Sequence, residues 1–395
     1  MTATWHGGCP WPAASNCSSR RIGRGRFPRG RFRLRNNKGN ELIRVVVVDD
    51  SMSMRTLLER IINGCDGMTC VGAAQDANAA REMIRALDPD VVTLDVEMPG
   101  MDGFEFLRRM MLLKPTPTIM VSGRTTSGSD AALRALELGA VDVIAKPVLT
   151  GPADLADYAR DIAELIRGAA AARVKGGVLA AASPARGERA CIQRPRGAKK
   201  VGIAATRLSR VIAIGASTGG TEALRAVLQD MSGTPPPILI CQHMPEGFTA
   251  SFAARLDTIC GIRVKEAEQG EPLRYGCAYV APGHSHLSLA ATGRHYVCRL
   301  EASPPVNRHR PSVDVLFDSV ARLAGKRALG AILTGMGKDG AAGLLRMRAS
   351  GARTFAQDEQ SCVVFGMPKE AIAMGAVDEI LPLARMGARL REALQ

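Results

Sequence analysis

From Leu42 onward, short apolar strand-like stretches alternate with stretches whose apolar residues recur at helical spacing. Arg44 to Val48, Val91 to Leu94, Thr118 to Val121 and Val141 to Ala145 predict strands, and Met52 to Asn63, Ala77 to Ala86 and Gly103 to Leu113 predict the helices between them. Strand-helix alternation of this kind specifies a parallel sheet covered on both faces. A second alternating region predicts strands near Val211 to Gly215, Pro237 to Cys241, Ala278 to Val280, His286 to Leu289 and Ala328 to Thr334. Its predicted helices are Thr221 to Met231, Phe248 to Leu256, Val313 to Ala324, Ala341 to Ala349 and Lys369 to Met374. Between the two regions, Gly168 to Leu208 is rich in Ala, Gly, Arg, Pro and Lys without a sustained period and reads as a linker. The expected division is a disordered basic extension over 1–41, a first α/β domain over 42–150, a helix end and flexible linker over 151–209, and a second α/β domain over 210–395.

Composition narrows the function classes. The 395 residues are 46% hydrophobic and 23% charged, which fits a chain able to bury two cores. No uncharged apolar run approaches the roughly 18 residues needed to span a bilayer, and Arg20-Arg21 is followed by further arginines where a secretory signal carries its apolar segment. A cytoplasmic protein without membrane insertion is expected. The ten cysteines include no C-x-x-C pair, so neither a zinc site nor a disulfide framework is indicated. A formal charge of +14 suggests nucleic acid, but nine of the basic residues fall in positions 1–41 and eleven in 151–209, segments without fold-forming pattern. The excess charge belongs to tails and linkers, and no nucleic-acid partner is expected.

In open parallel sheets the residues just past the strands' carboxyl ends converge on one edge, where ligands bind. In the first domain Asp49 and Asp50, Asp95, Ser122 and Lys146 each follow a predicted strand. Any one of these acids alone reads as a helix cap. Three carboxylates at one edge repel unless a hard cation joins them, which suits Mg²⁺; Lys146 and Ser122 would then hold the oxygens of a phosphoryl group on Asp95.

The second domain opens with Val211 to Glu222, a strand, a glycine-bounded turn around Ser217 and a helix start, which can present a serine hydroxyl at the positive end of a helix. G-x-S-x-G alone is a weak signal, equally read as a helix cap, and a dinucleotide fingerprint fails because Ser217 stands where its second glycine belongs. A nucleophilic serine needs a base and an orienting carboxylate. Among the six histidines, His243 follows a strand at the same edge, whereas His6 lies in the tail and His284, His286, His295 and His309 belong to loops or a hairpin. Asp339, in Thr334-Gly335-Met336-Gly337-Lys338-Asp339-Gly340, also follows a strand, with glycines whose amides suit an oxyanion. The order Ser217, His243, Asp339 excludes an ordinary α/β-hydrolase, whose histidine comes last.

Val48-Asp49-Asp50-Ser51, the run Leu94 to Gly103, Val121-Ser122 and Lys146-Pro147 resemble the receiver domain of two-component response regulators. The resemblance implies a (βα)5 fold, phosphorylation of Asp95 by a chemotaxis histidine kinase, Mg²⁺ on Asp49, Asp50 and Asp95, Ser122 as the switch hydroxyl and Lys146 as the phosphate-binding lysine. Val143 stands where that family often has an aromatic residue. Gly215 to Leu224, Cys241 to Pro245, Pro311 to Asp314, Thr334 to Gly340 and Phe365 to Pro368 resemble the catalytic domain of the chemotaxis protein-glutamate methylesterases, the CheB family. That implies a doubly wound parallel sheet with a Ser217, His243, Asp339 triad, the Met336 amide as an oxyanion donor, and no cofactor for ester hydrolysis. The implied substrates are glutamate methyl esters and certain glutamines of methyl-accepting chemoreceptors. Arg308 and Arg310, before Pro311, read equally as contacts for acidic side chains of such a receptor and as a solvated loop. Three alternatives fit less well. A DNA-binding output would be smaller and helical or winged, a nucleotide-dependent enzyme would need an intact phosphate loop, and a catalytically dead scaffold would not need all three triad residues.

Overall fold

The computed structural model describes residues 42–98, 101–123, 126–147, 151–173, 202–207 and 209–394. The expected basic extension over 1–41, most of the expected linker (174–201) and the Pro99-Gly100 pair of the receiver-like motif lie outside the described residues.

Strands and helices alternate through β1 (Ile43–Val48), α1 (Met52–Gly64), β2 (Met68–Ala74), α2 (Ala77–Leu87), β3 (Val91–Asp95), α3 (Gly103–Leu113), β4 (Thr118–Ser122), α4 (Thr126–Glu137), β5 (Asp142–Ala145) and α5 (Pro152–Ala171). The five strands form one parallel sheet in the order β2-β1-β3-β4-β5. β1 and β3, from which the order runs outward in opposite directions, end at Asp49 and Asp95, so the fold's crevice falls on the acidic residues. Buried on both faces over most of their length, β1, β3 and β4 are predominantly apolar, with Val45 to Val48 a continuous apolar run.

Helix α5 extends the first core beyond the expected boundary near residue 150. Tyr158, Ile162, Ile166 and Ala169 pack with Val45, Val47, Ile119 and Val121. Gly168 to Ala171, expected to open the linker, instead form the last turn of this helix, because an alanine-rich segment keeps high helix propensity and Ala169 is fully buried. The far end of the expected linker is also packed. Gly202 donates to Tyr275 O at 2.8 Å, Ala205 is fully buried, and Ala204 and Thr206 form bridges to Arg274 and His295.

The second domain runs β6 (Val211–Ala216), α6 (Gly220–Gln229), β7 (Ile238–Gln242), α7 (Phe248–Ile259), β8 (Arg263–Glu266), β9 (Cys277–Val280), β10 (His286–Thr292), β11 (His295–Glu301), α8 (Val313–Ala324), β12 (Ala328–Ile332), α9 (Ala341–Ala349), β13 (Arg353–Gln357), α10 (Met367–Ala373), β14 (Glu379–Leu381) and α11 (Leu383–Glu392). Seven of its strands form a parallel sheet in the order β14-β13-β12-β6-β7-β9-β8, and β10 and β11 pair as an antiparallel hairpin. The order reverses at β6, flanked by β12 and β7, so the switch point lies where Ser217, His243 and Asp339 follow their strands. No helix among the described residues is long and apolar enough to cross a membrane.

Candidate active site

At the first sheet's edge, Asp49 and Asp95 are each 1% exposed, Asp50 is exposed, and ligand oxygens of all three lie within 4.8 Å of one another. Ser51 N donates to Asp49 Oδ1 at 2.8 Å, and Arg55 holds the carbonyls of Asp49 and Asp50, both at 2.8 Å, which fixes the turn that presents these acids. Lys146 Nζ pairs with Asp95 Oδ2 at 2.8 Å and reaches Asp49 Oδ2 at 3.3 Å, without a well-directed hydrogen bond to the latter. Burial, with the Asp49 charge adding, pushes the Asp95 carboxyl up against the opposing Lys146 ammonium. Ser122 ends β4 buried, and Lys146 N donates to its carbonyl at 2.7 Å, joining the two strand ends. One lysine against three carboxylates leaves net negative charge, and Asp49 Oδ2 is a buried oxygen without a hydrogen bond; the donor set fits a hard divalent cation.

In the second domain β6 is buried throughout and delivers Ser217 into a tight turn. Gly219 adopts φ 75°, a left-handed conformation that a side chain would strain, and α6 begins at the next residue. The turn is laced to the loop after β12: Ser217 N donates to Thr334 O at 3.0 Å, and Thr334 Oγ1 donates to Thr218 O at 3.0 Å. Gly335 allows this approach, since a Cβ there would come within 2.7 Å of Ser217 Cβ.

His243 follows β7, its amide bonded to Ala216 O at 3.1 Å, and its Nε2 lies 2.8 Å from Asp339 Oδ2. Its Nδ1 is buried without a hydrogen-bond partner, and among the described residues Ser217 Oγ makes no hydrogen bond. Asp339, 1% exposed, accepts from Val313 N at 2.7 Å, Ser312 Oγ at 2.8 Å, Asn307 Nδ2 at 2.7 Å and Asp314 N at 3.3 Å. Burial alone would raise its pKa. The His243 ring and these donors at the N-terminus of α8 outweigh burial and hold the carboxyl below the ordinary range.

Three participants were not singled out by sequence reasoning. Ser312 lies in the quoted run Pro311 to Asp314, whose signal was present without an assignable role. Asn307, at φ 52°, bridges Asp339 Oδ1 and Asp314 Oδ2 at 2.7 and 2.6 Å. His309 stacks on His243 with ring centroids 3.7 Å apart and planes 15° from parallel. Of the other histidines left open, His286 is fully buried between Ser312 N at 3.0 Å and Pro304 O at 3.1 Å, a satisfied core residue, and His284 and His295 are exposed.

The two domains meet over this site. Ser217, His243, Met336, Arg308 and Arg310 line a cavity of about 260 Å³ together with Asp142, Val143, Asp161 and Glu164 of the first domain. Thr218 Oγ1 donates to Asp142 Oδ2 at 2.7 Å. Arg255 pairs with Glu137 at 2.7 Å, and the Met336 side chain packs against Gly168 of α5. Arg173, just past α5, donates to Val363 O at 3.0 Å and pairs with Glu359 at 2.7 Å.

The chain matches the family described as CheB methylesterase over residues 212–390 and the response regulator receiver domain over residues 45–159. A Burkholderia thailandensis protein named protein-glutamate methylesterase/protein-glutamine glutaminase 2 is 95% identical over 354 residues, 90% of this chain and 100% of that protein. A Dechloromonas aromatica protein named protein-glutamate methylesterase/protein-glutamine glutaminase 1 is 54% identical over 351 residues, covering 88% of this chain and 97% of its own length. Among solved structures, the Thermotoga maritima CheB methylesterase catalytic domain matches at 40% identity and a TM-score of 0.46, covering 47% of this chain and 98% of that one.

Proposed function

Since the chain belongs to the protein-glutamate methylesterase/protein-glutamine glutaminase family, we propose that it hydrolyses glutamate methyl esters on methyl-accepting chemoreceptors and deamidates certain of their glutamines under receiver control, in chemotaxis adaptation. The observation that carries this reading is the His243 ring bonded to buried Asp339 at 2.8 Å in a cavity shared with Ser217. In this reading the catalytic domain spans 210–395 and the receiver begins at residue 42.

The chemistry is acyl transfer. Ser217 Oγ attacks the ester carbonyl while His243 takes the hydroxyl proton at Nδ1, its other nitrogen held protonated by Asp339. Apo geometry of this kind tightens when substrate binds. The tetrahedral oxyanion faces the N-terminus of α6 and the Met336 amide. His243 then passes its proton to the departing methoxide, and methanol leaves an acyl-serine. Water attacks that acyl group with His243 again as base, and the proton returns to Ser217 as glutamate is released. A glutamine follows the same course with ammonia as the leaving group.

Regulation uses the other sheet edge. Asp49, Asp50 and Asp95 would hold Mg²⁺, which when bound neutralises charge during phosphoryl transfer. Asp95 accepts the phosphoryl group from a chemotaxis histidine kinase, and Lys146 and Ser122 hold its oxygens. Lys146 thereby exchanges a carboxylate partner for the phosphoryl group, and Asp142 and Val143, a few residues earlier on the same strand, carry that change toward Thr218. Partners of this kind place the enzyme in the cytoplasm.

The test is methanol release from methylated receptor membranes by the parent chain and Ser217→Ala, with and without a small-molecule phosphodonor. Release that requires Ser217 and rises with the phosphodonor is expected. Release that survives Ser217→Ala would overturn the reading.

A further inference from the structure

The Asp339 carboxylate grips His243 at one ring atom, Nε2. A single hydrogen bond fixes the position of that atom but leaves the ring free to tilt about it. Nδ1, on the far side of the ring, then moves through an arc, and proton transfer from a serine tolerates little displacement. Something else must set the ring plane.

We propose that His309 is a positioning residue whose flat ring, stacked on His243, fixes the orientation of the general base toward Ser217. The inference rests on the esterase reading above. The rings lie 3.7 Å apart and 15° from parallel, which is face-to-face contact over most of their area.

The segment carrying His309 is built to hold that pose. Asn307 and Arg308 both take left-handed backbone conformations, at φ 52° and 70°, and Val306 and His309 exchange backbone hydrogen bonds of 3.1 and 2.9 Å across this turn. The Asn307 amide ties the turn to Asp339 itself, at 2.7 Å. One short loop therefore fixes both the carboxylate behind His243 and the ring beside it.

A stacked partner must stay uncharged while His243 becomes an imidazolium, since two cations at this spacing repel. Burial, with the His243 charge adding, lowers the His309 pKa to about 3. It is therefore a neutral aromatic face throughout the physiological range, and such a face attracts the cation that forms on its neighbour.

His309→Leu and His309→Phe separate the ring from the space it fills, because both are bulky and apolar and only Phe presents a flat face. In the full chain with phosphodonor, methanol release from methylated receptor membranes is measured against substrate concentration, with thermal midpoints recorded for each variant. His309→Leu should lower kcat by about tenfold to 100-fold with KM within about twofold, and His309→Phe should recover most of that loss at comparable thermal stability. A residue that only supports the loop would move activity in step with stability and not separate the two variants. Equal kcat in the Leu and Phe variants, whether both low or both near the parent, overturns the proposal while Ser217-dependent release leaves the esterase reading intact. Release that survives Ser217→Ala overturns both.

Discussion

Asp142 of the receiver accepts a 2.7 Å hydrogen bond from Thr218, the residue next to Ser217. The contact links β5, which leads to Lys146, to the turn that presents the candidate nucleophile. Burial pushes the Asp142 carboxyl up, against the opposing Thr218 hydrogen bond.

Removing this latch should free the site without phosphorylation. Thr218→Val, which keeps the side-chain shape, should raise basal methanol release about fivefold to tenfold, the scale of one net intramolecular hydrogen bond, and shrink the further gain from phosphodonor. Unchanged basal release would show that the bond does not restrain the receiver.

Asp95→Asn should abolish stimulation by phosphodonor while retaining unstimulated hydrolysis. Chelation of divalent cations should do the same to the parent chain, because in the proposed reading the cation serves the acidic cluster and the esterase step needs no metal. Loss of unstimulated hydrolysis on chelation would contradict this division.

Asn307→Gly isolates the amide from the backbone, since glycine tolerates φ 52° without strain. Asp339 would lose one donor and face Asp314 without the bridge between them. An about tenfold fall in kcat is expected, of the order of one charge-assisted hydrogen bond, with circular dichroism unchanged. A parent-like kcat would make Asn307 a loop-former alone.

His309 also gives the fold an acid sensitivity. Its folded pKa of about 3 lies below the ordinary 6.5, so between those values the unfolded chain binds a proton that the folded chain does not. Stability from this group is complete above about pH 6.5 and declines as pH falls toward about 3. Asp339, also depressed, adds its own loss below the ordinary carboxylate range. The His309→Phe variant keeps the second loss and lacks the first. Its thermal midpoint should therefore gain on the parent as pH drops from 7.5 to 4.5, and parallel profiles would refute the assignment.

The sequence was most legible where strands are buried on both faces. Val45 to Val48 and Ile212 to Ile214 are unbroken apolar runs and Val91 to Leu94 is interrupted by the buried Thr93 alone, and the chemistry at their ends could be read directly. The strands missed lie toward sheet edges and mix residue types, as in β2 with Thr69, Cys70 and Gly72 or β13 with Arg353 and Gln357. Helix α4 was missed because its first turn, Thr-Ser-Gly-Ser, carries weak helix formers. Ser217, His243 and Asp339 could be nominated because each follows its own strand. His309 could not be told from His284 or His295, since its distinguishing feature is the ring it meets across the fold.

β6, β7 and β12, the strands that end near Ser217, His243 and Asp339, are immediate neighbours at the centre of the seven-stranded sheet. Fraying of β8 or β14 at the margins leaves their spacing untouched, and no opening short of dismantling the middle of the sheet can pull them apart. Residual hydrolysis therefore serves as a census of intact molecules. During denaturation it should persist while the edges loosen and vanish in the same step as the central sheet.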